Sequence, residues 1–404
     1  MPVQALHTRQ RLAPAPRALD VPLHVHKIYA PRRRRQYVIK ATLNTTVKQL
    51  KSIIDPQTAK GQSSDFANAN FPVDQEGRTL HLGCKRGEVA NRILSVGSMD
   101  RALMIADQLQ GAEPGAPLFQ HLSGRGFLTI TGLYQGTPVS IITTLMGMPN
   151  MDFVVREARA VVEGQMAVIR LGTCGALRPP AKLGSFMVAS PGAVCVRRDP
   201  DAWTFDDGRP HYTVSAPVPA DPQLVQLLVA ACTEHGGADS VVQGLDATAD
   251  SFYSSQGRTG GHFEDVNEAV IEQLMAAHPQ LVSLEMETFH LLDLARCSRG
   301  GIKAAAFCIA AAERYSNRFI SKEQIQLCER LGGAAALTAL MQCPLTDAVG
   351  ADGSTSSTSS SASSNGNGSS NGNGNGNGKS HVLPADAYVW VRRHAASAVV
   401  KRQV

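Results

Sequence analysis

Four short segments hold side chains able to do chemistry together. The first centres on Arg170, set inside the apolar run Ala167-Val168-Ile169-Arg170-Leu171 and followed by Gly172-Thr173-Cys174-Gly175. A guanidinium in an interior strand is costly unless an anion meets it. A glycine- and hydroxyl-rich turn at a strand end lets backbone N–H groups approach a phosphate or carboxylate closely. One of the protein's own acids, in a buried salt bridge, would answer the same charge. The second segment, Val96-Gly97-Ser98-Met99-Asp100-Arg101, reads as a strand end, a glycine and an arginine in the first turn of a helix. The helix N-terminus adds partial positive charge there, so this is another anion cradle in outline, or simply an arginine facing solvent.

The third segment is Ser283-Leu284-Glu285-Met286-Glu287-Thr288-Phe289, with two acids where an apolar strand meets an apolar helix. A carboxylate at a sheet end can accept both hydroxyls of a sugar diol, or it can cap its own helix. The fourth, Ser251-Phe252-Tyr253-Ser254-Ser255-Gln256-Gly257-Arg258, brings an aromatic face, an amide and a guanidinium into one loop. Such a loop can stack on and hydrogen-bond a planar heterocycle, and in isolation it is equally an ordinary surface loop. No nucleophile, base and orienter set accompanies these segments. The chemistry on offer is positioning and charge stabilisation.

These segments need a sheet to hold them. Apolar runs at 92–97, 127–132, 139–145, 167–172, 185–190, 241–247, 281–284 and 304–310 read as strands, alternating with amphipathic helices. Asn150 is placed to cap a helix whose apolar face is Met151, Val154, Val155, Ala158, Val161 and Val162, closed by Gly164. Asp221-Pro222 opens another helix, and Ser321 with Gln324 has the capping-box spacing. The pattern predicts an α/β fold: a single three-layer αβα domain over residues 66–345 with a central mixed β-sheet.

Composition bounds the rest. In 404 residues, 43% of them hydrophobic, there is ample material for a core. No apolar run approaches the roughly 18 residues of a spanning helix, so no membrane partner is expected. The eight cysteines form no C-x-x-C pair, which predicts reduced thiols and no metal site. Residues 1–54 hold eleven Lys or Arg against one acid, a net +10 that leaves the remainder at −5. A mildly acidic body argues against nucleic-acid binding. The basic segment, 1–65, reads as a disordered leader with transit-peptide composition, pointing to a plastid or mitochondrion; a cytoplasmic protein with a basic tail is the alternative. The Ser/Asn/Gly tract within 346–380 reads as a linker, and 381–404 as a tail with a short helix near 388–400.

Taken in order, these pieces resemble the nucleoside phosphorylases of the uridine phosphorylase type, from about residue 66 to 340. The resemblance rests on His81-Leu82-Gly83, the Gly97–Arg101 turn, Arg125-Gly126-Phe127, the Gly147–Asp152 stretch, Arg170 to Gly175 and Glu285-Met286-Glu287. The F-Y-x-x-Q-x-R pattern of Phe252 to Arg258 is similar to that of the pyrimidine branch. The resemblance implies that Gly97, Arg101, Arg170 and Thr173 hold phosphate, with Arg125 supplied by a neighbouring subunit. It implies that Glu287 and Met286 hold the ribose hydroxyls with Glu285 in support, and that His81 of the neighbour approaches the 5′-hydroxyl. Phe252, Gln256, Arg258 and Arg314 would read and stabilise the uracil ring. The implied reaction is phosphorolysis of uridine, with phosphate as co-substrate, no cofactor, and at least a homodimer with shared sites.

Three departures from that family's pattern stand out. Ser98 and Met99 replace the Asp-Pro of its G-D-P turn. Gly126 replaces a glutamate that binds a monovalent cation in some relatives, so no such ion is expected. Cys174 stands where a second threonine is frequent. The alternatives are a purine-specific sister, in which an aspartate is expected at the position of Arg314; a hydrolytic nucleosidase, which would lack the clamp of Arg101, Arg125 and Arg170; and a non-catalytic storage relative.

Overall fold

A computed structural model describes residues 66–205, 207–345 and 388–390. The basic leader, the Ser/Asn/Gly linker and most of the tail lie outside the described residues. Among the described residues, β1 (Phe66–Ala67) and β2 (Val73–Asp74) form a small antiparallel ribbon. One mixed sheet takes the other strands: β3 (Arg92–Val96), β4 (Phe119–Leu122), β5 (Leu128–Tyr134), β6 (Thr137–Thr143), β7 (Met166–Ala176), β8 (Phe186–Val188) and β9 (Ala193–Arg198). It continues with β10 (Tyr212–Val214), β11 (Val241–Gln243), β12 (Leu245–Ala249), β13 (Leu281–Glu285), β14 (Ile302–Glu313) and β15 (Arg318–Phe319). Among the described residues six α-helices flank it: α1 (Met99–Ala106), α2 (Met148–Val161), α3 (Pro222–Gly236), α4 (Val270–Ala277), α5 (Thr288–Cys297) and α6 (Lys322–Gln342). The α/β architecture expected from the alternation is present.

The main path of the sheet runs β10-β9-β12-β13-β7-β3-β6-β5-β4, with β14 bridging β7 to β8. The strand carrying Arg170 is its spine. β14 pairs with β7 in parallel along its whole length, β3 pairs with it from Ala167 to Leu171, and β13 takes only Gly175 and Ala176, antiparallel. Between those two partners Gly172, Thr173 and Cys174 have only β14 beside them. The ends of β3 and β13 therefore diverge around this short stretch, and the segments that follow both strands face it.

Three local expectations are corrected. Gly172 to Gly175 do not form a turn but continue β7, because β14 pairs with them through Glu313. The two glycines serve close packing instead: an added Cβ would stand 2.8 Å from Cys308 Sγ at Gly172 and 2.9 Å from Arg314 Cγ at Gly175. Asn150 is not the cap of α2. That helix starts at Met148 with Gly147 as its N-cap, and Pro149 fits its first turn, where no N–H is required; the Asn150 amide donates to the Met146 carbonyl at 2.7 Å. The run at 241–247 is broken at Gly244, where β11 pairs with β8 and β12 joins β9 and β13. Asp221 and Ser321 cap α3 and α6 as their spacing predicts, the latter in a full capping box.

Of the tail, Tyr388, Val389 and Trp390 are described, and they form a turn. Both aromatic rings are buried against Ala90, and the Val389 N–H donates to the Gly87 carbonyl at 2.9 Å.

Helix α6 lies close on α1. A Cβ at Gly333 would stand 2.5 Å from Ile105 Cγ1, and this approach brings Glu329 of α6 to Arg101 of α1. Gly333→Val is expected to destabilise the protein by about 1–3 kcal/mol through overpacking, read from the denaturant midpoint of unfolding. An unchanged midpoint would show that the two helices separate freely.

Candidate active site

A cavity of about 310 Å³ opens where β3 and β13 part from β7. Gly97, Ser98 and Arg101 come to it from the β3–α1 junction, and Arg170, Thr173 and Cys174 from β7. Glu285, Met286 and Glu287 come from the β13–α5 junction, and Phe252, Gln256 and Arg258 from the loop after β12. The four segments singled out in the sequence, separated by up to some two hundred residues, thus line one space. Phe319 of β15 also lines it and was not anticipated, since a two-residue strand leaves no periodic signal.

At the anion end, Ser98 is the N-cap of α1. Its backbone is extended, and its hydroxyl accepts the Arg101 N–H, at 3.4 Å, at the start of α1. The Arg101 side chain is buried. Its Nε donates to Glu329 Oε1 at 2.8 Å and its Nη1 to the Leu171 carbonyl at 3.2 Å. Arg170, 3% exposed, donates to Glu287 Oε2 and, at 3.2 Å, to Thr144 Oγ1; its Nε lies 3.6 Å from Glu285 Oε2. Burial disfavours the Arg170 charge, but the carboxylates of Glu287 and Glu285 outweigh it and raise its pKa. Both arginines are therefore already matched by the protein's own acids, the alternative the sequence left open, while both still line the cavity. Arg125 is exposed and does not line it; within one subunit the three arginines do not converge.

The two glutamates divide their work. Glu285 accepts the backbone N–H groups of Glu287 and Thr288, at 2.9 to 3.1 Å, and the Thr248 hydroxyl at 2.6 Å. Burial pushes its carboxyl up, yet Arg170 and these hydrogen bonds prevail and hold it below the usual range. Glu287 accepts from Arg170 and from the Gly147 N–H. Burial and the Glu285 charge raise its carboxyl despite Arg170. Glu285 is thus the fixed anion that starts α5, and Glu287 the more readily protonated acid that faces the cavity.

At the other end, Gln256 is 2% exposed and Phe252 43% exposed. The Arg258 guanidinium lies 3.9 Å over the Phe252 ring, with Nε donating to the Phe252 carbonyl at 3.0 Å and Nη2 to Gln256 Oε1 at 3.3 Å. Burial lowers its pKa. Arg314 stands behind this loop and not on the cavity wall. Its two Nη groups donate to the Gln256 and Gly257 carbonyls, each at 3.0 Å, tying the loop to β14.

His81 does not line the cavity either. Its ring stacks on Phe153 at 3.8 Å, and Nδ1 lies 2.7 Å from Glu157 Oε1. Glu157, buried on α2, also accepts the backbone N–H groups of His81 and Leu82. Neither Glu157 nor Glu329 was singled out in the sequence. Each sits on a helix far along the chain from its partner, and an acid on an amphipathic helix looks like ordinary surface.

Comparison with known proteins shows the family. The profile of the phosphorylase superfamily matches residues 91–337. The chain is 29% identical over 256 residues to the uridine phosphorylase of Thermococcus kodakarensis, covering 63% of this chain and 84% of that one. A DeoD-type purine nucleoside phosphorylase of Geobacillus kaustophilus is 36% identical over 111 residues, 28% of this chain and 44% of its own. Among solved structures, a uridine phosphorylase of the oomycete Phytophthora capsici is 43% identical, with a TM-score of 0.66, covering 69% of this chain and all of that one. Fold, site and sequence thus converge: the chain belongs to the phosphorylase superfamily and is a nucleoside phosphorylase, a pentosyltransferase.

Proposed function

We propose that the protein catalyses the reversible phosphorolysis of uridine to uracil and ribose 1-phosphate, with no cofactor. The observation that carries the choice of base is the Phe252–Gln256–Arg258 group on the cavity wall. A half-exposed ring offers a stacking face, a buried amide offers both a donor and an acceptor, and the Arg258 guanidinium meets no carboxylate among the described residues. Together they suit a heterocycle that departs as an anion. The identity to two uridine phosphorylases supports the same reading.

Breaking an N-glycosidic bond builds positive charge on the ribose and negative charge on the base. Gln256 and Arg258 would stabilise the departing uracil, and Arg314 would keep their loop in place. Phosphate reaches Arg170 by replacing the Glu287 carboxylate, which turns to the ribose 2′- and 3′-hydroxyls; the exchange leaves Arg170 paired with an anion and Glu287 hydrogen-bonded by the diol. Arg101, Gly97 and Thr173 complete the phosphate contacts. Arg125 and His81, which lie away from the cavity of their own subunit, would complete the site of a neighbouring one, so that a homodimer is the smallest active unit.

Uracil release from uridine should require phosphate, and inosine should be a poor substrate; release at equal rates with and without phosphate would exclude phosphorolysis. Arg170→Ala is expected to lower kcat/KM for phosphate by at least about a hundredfold. Arg170→Lys, which keeps a charge against Glu285 and Glu287, separates this loss from misfolding. Inactive Arg125→Ala and Arg170→Ala proteins, unfolded and refolded together, should recover about a quarter of wild-type turnover, since half of randomly paired dimers hold one intact site. No recovery would show that each subunit builds its site alone.

A further inference from the structure

Behind Glu285 lies a carboxyl group that the reaction does not use. Asp246 of β12 is 2% exposed and stands beside Ser283 of β13, as Thr248 stands beside Glu285 two residues on. No Lys, Arg or His pairs with it among the described residues. Ser283 Oγ donates to Asp246 Oδ1 at 2.5 Å. Thr248 Oγ1 lies 2.6 Å from Glu285 Oε1, 3.2 Å from Asp246 Oδ2, and accepts the Phe289 N–H at 2.7 Å.

A hydroxyl has one proton to give. The Thr248 proton belongs to the shorter contact, with Glu285, and the Phe289 N–H occupies one of the oxygen's lone pairs. The remaining contact becomes a hydrogen bond only if Asp246 supplies the proton. With a protonated Asp246 every polar atom of the group is satisfied. With an ionised one, two buried carboxylates compete for a single donor.

We propose that Asp246 is a positioning residue: a neutral carboxylic acid that donates through Thr248 to Glu285, fixing the carboxylate on which the Glu287 backbone hangs without adding negative charge beneath the phosphate site. The site already sets one guanidinium, Arg170, against Glu285 and Glu287. A third carboxylate would repel an incoming phosphate, whereas the neutral acid orients Glu285 at no electrostatic cost. The other titratable groups around Asp246 are the buried thiols of Cys174 on β7 and Cys308 on β14. Burial, followed by the Glu285 charge, raises the Asp246 carboxyl well above the usual carboxylate range, in accord with the hydrogen-bond pattern.

The test combines spectroscopy, stability and kinetics on the full chain. The wild type minus Asp246→Asn infrared difference spectrum at neutral pH should show the carbonyl stretch of a protonated carboxylic acid; an ionised-carboxylate band in its place overturns the proposal. Because the folded protein holds a proton that the unfolded chain releases above its ordinary pKa, the contribution of Asp246 to wild-type stability falls as pH rises. The thermal midpoint of Asp246→Asn should therefore gain on that of wild type between about pH 5 and 8. A pH-independent gap overturns the proposal. Asp246→Ala, which leaves Ser283 and Thr248 without their partner, should lower kcat about tenfold, and Asp246→Asn should restore most of it; equal loss in both overturns the positioning role. The kinetic arm rests on uridine phosphorolysis. The spectroscopic and stability arms need no substrate, so failure of that reading is distinguishable from failure of this one.

Discussion

The ion pair between Arg170 and Glu287, backed by Glu285, is the constraint around which the rest is arranged. Opposite charges removed from water in the middle of a sheet lose more hydration than they recover, unless geometry and further hydrogen bonds make up the difference. Here the completion is extensive. Thr144 takes another edge of the guanidinium, the Gly147 N–H meets Glu287, and the first N–H groups at α5 meet Glu285. An apolar trio would be more economical as a core. Its ionic replacement makes sense in a protein whose ligands bring charge and hydroxyls that can exchange places with those already present.

Topology creates the opportunity for that exchange. A strand flanked on both sides along its length has no room for a ligand. β7 loses its neighbour on one side for three residues, between the last residue held by β3 and the first held by β13. The strand-to-helix junctions that follow those two strands supply helix N-termini and carboxylates at the gap. The same switch between partners is where open α/β sheets generally bind their ligands.

Much of this is legible in the amino-acid sequence. A lone arginine in an apolar run, a pair of acids at a strand end and an aromatic–amide–guanidinium loop are anomalies against period and burial, so Arg170, Glu285, Glu287, Phe252, Gln256 and Arg258 stood out. What stayed hidden was of two kinds. The first is partnership across the chain: Glu329 lies 228 residues from Arg101, and Glu157 lies 76 residues from His81, and no local pattern links either pair. The second is a polar residue whose surroundings look apolar in sequence. Asp246 sits in a strand-like run that gives no hint of a hydrogen-bonding row beside it. The reading of Gly172 to Gly175 as a turn failed because glycine marks both bends and tight interstrand packing, and only the presence of Cys308 and Arg314 distinguishes them.

Tyr388 and Trp390 give the far end of the chain an unexpected status. Their rings are buried beside Ala90, and the Gly87 carbonyl accepts the Val389 N–H. Two large rings bring more apolar area out of water than most single core side chains do. The folded body thus draws part of its apolar cover from beyond α6, and trimming the chain at the end of that helix would strip the cover from Ala90.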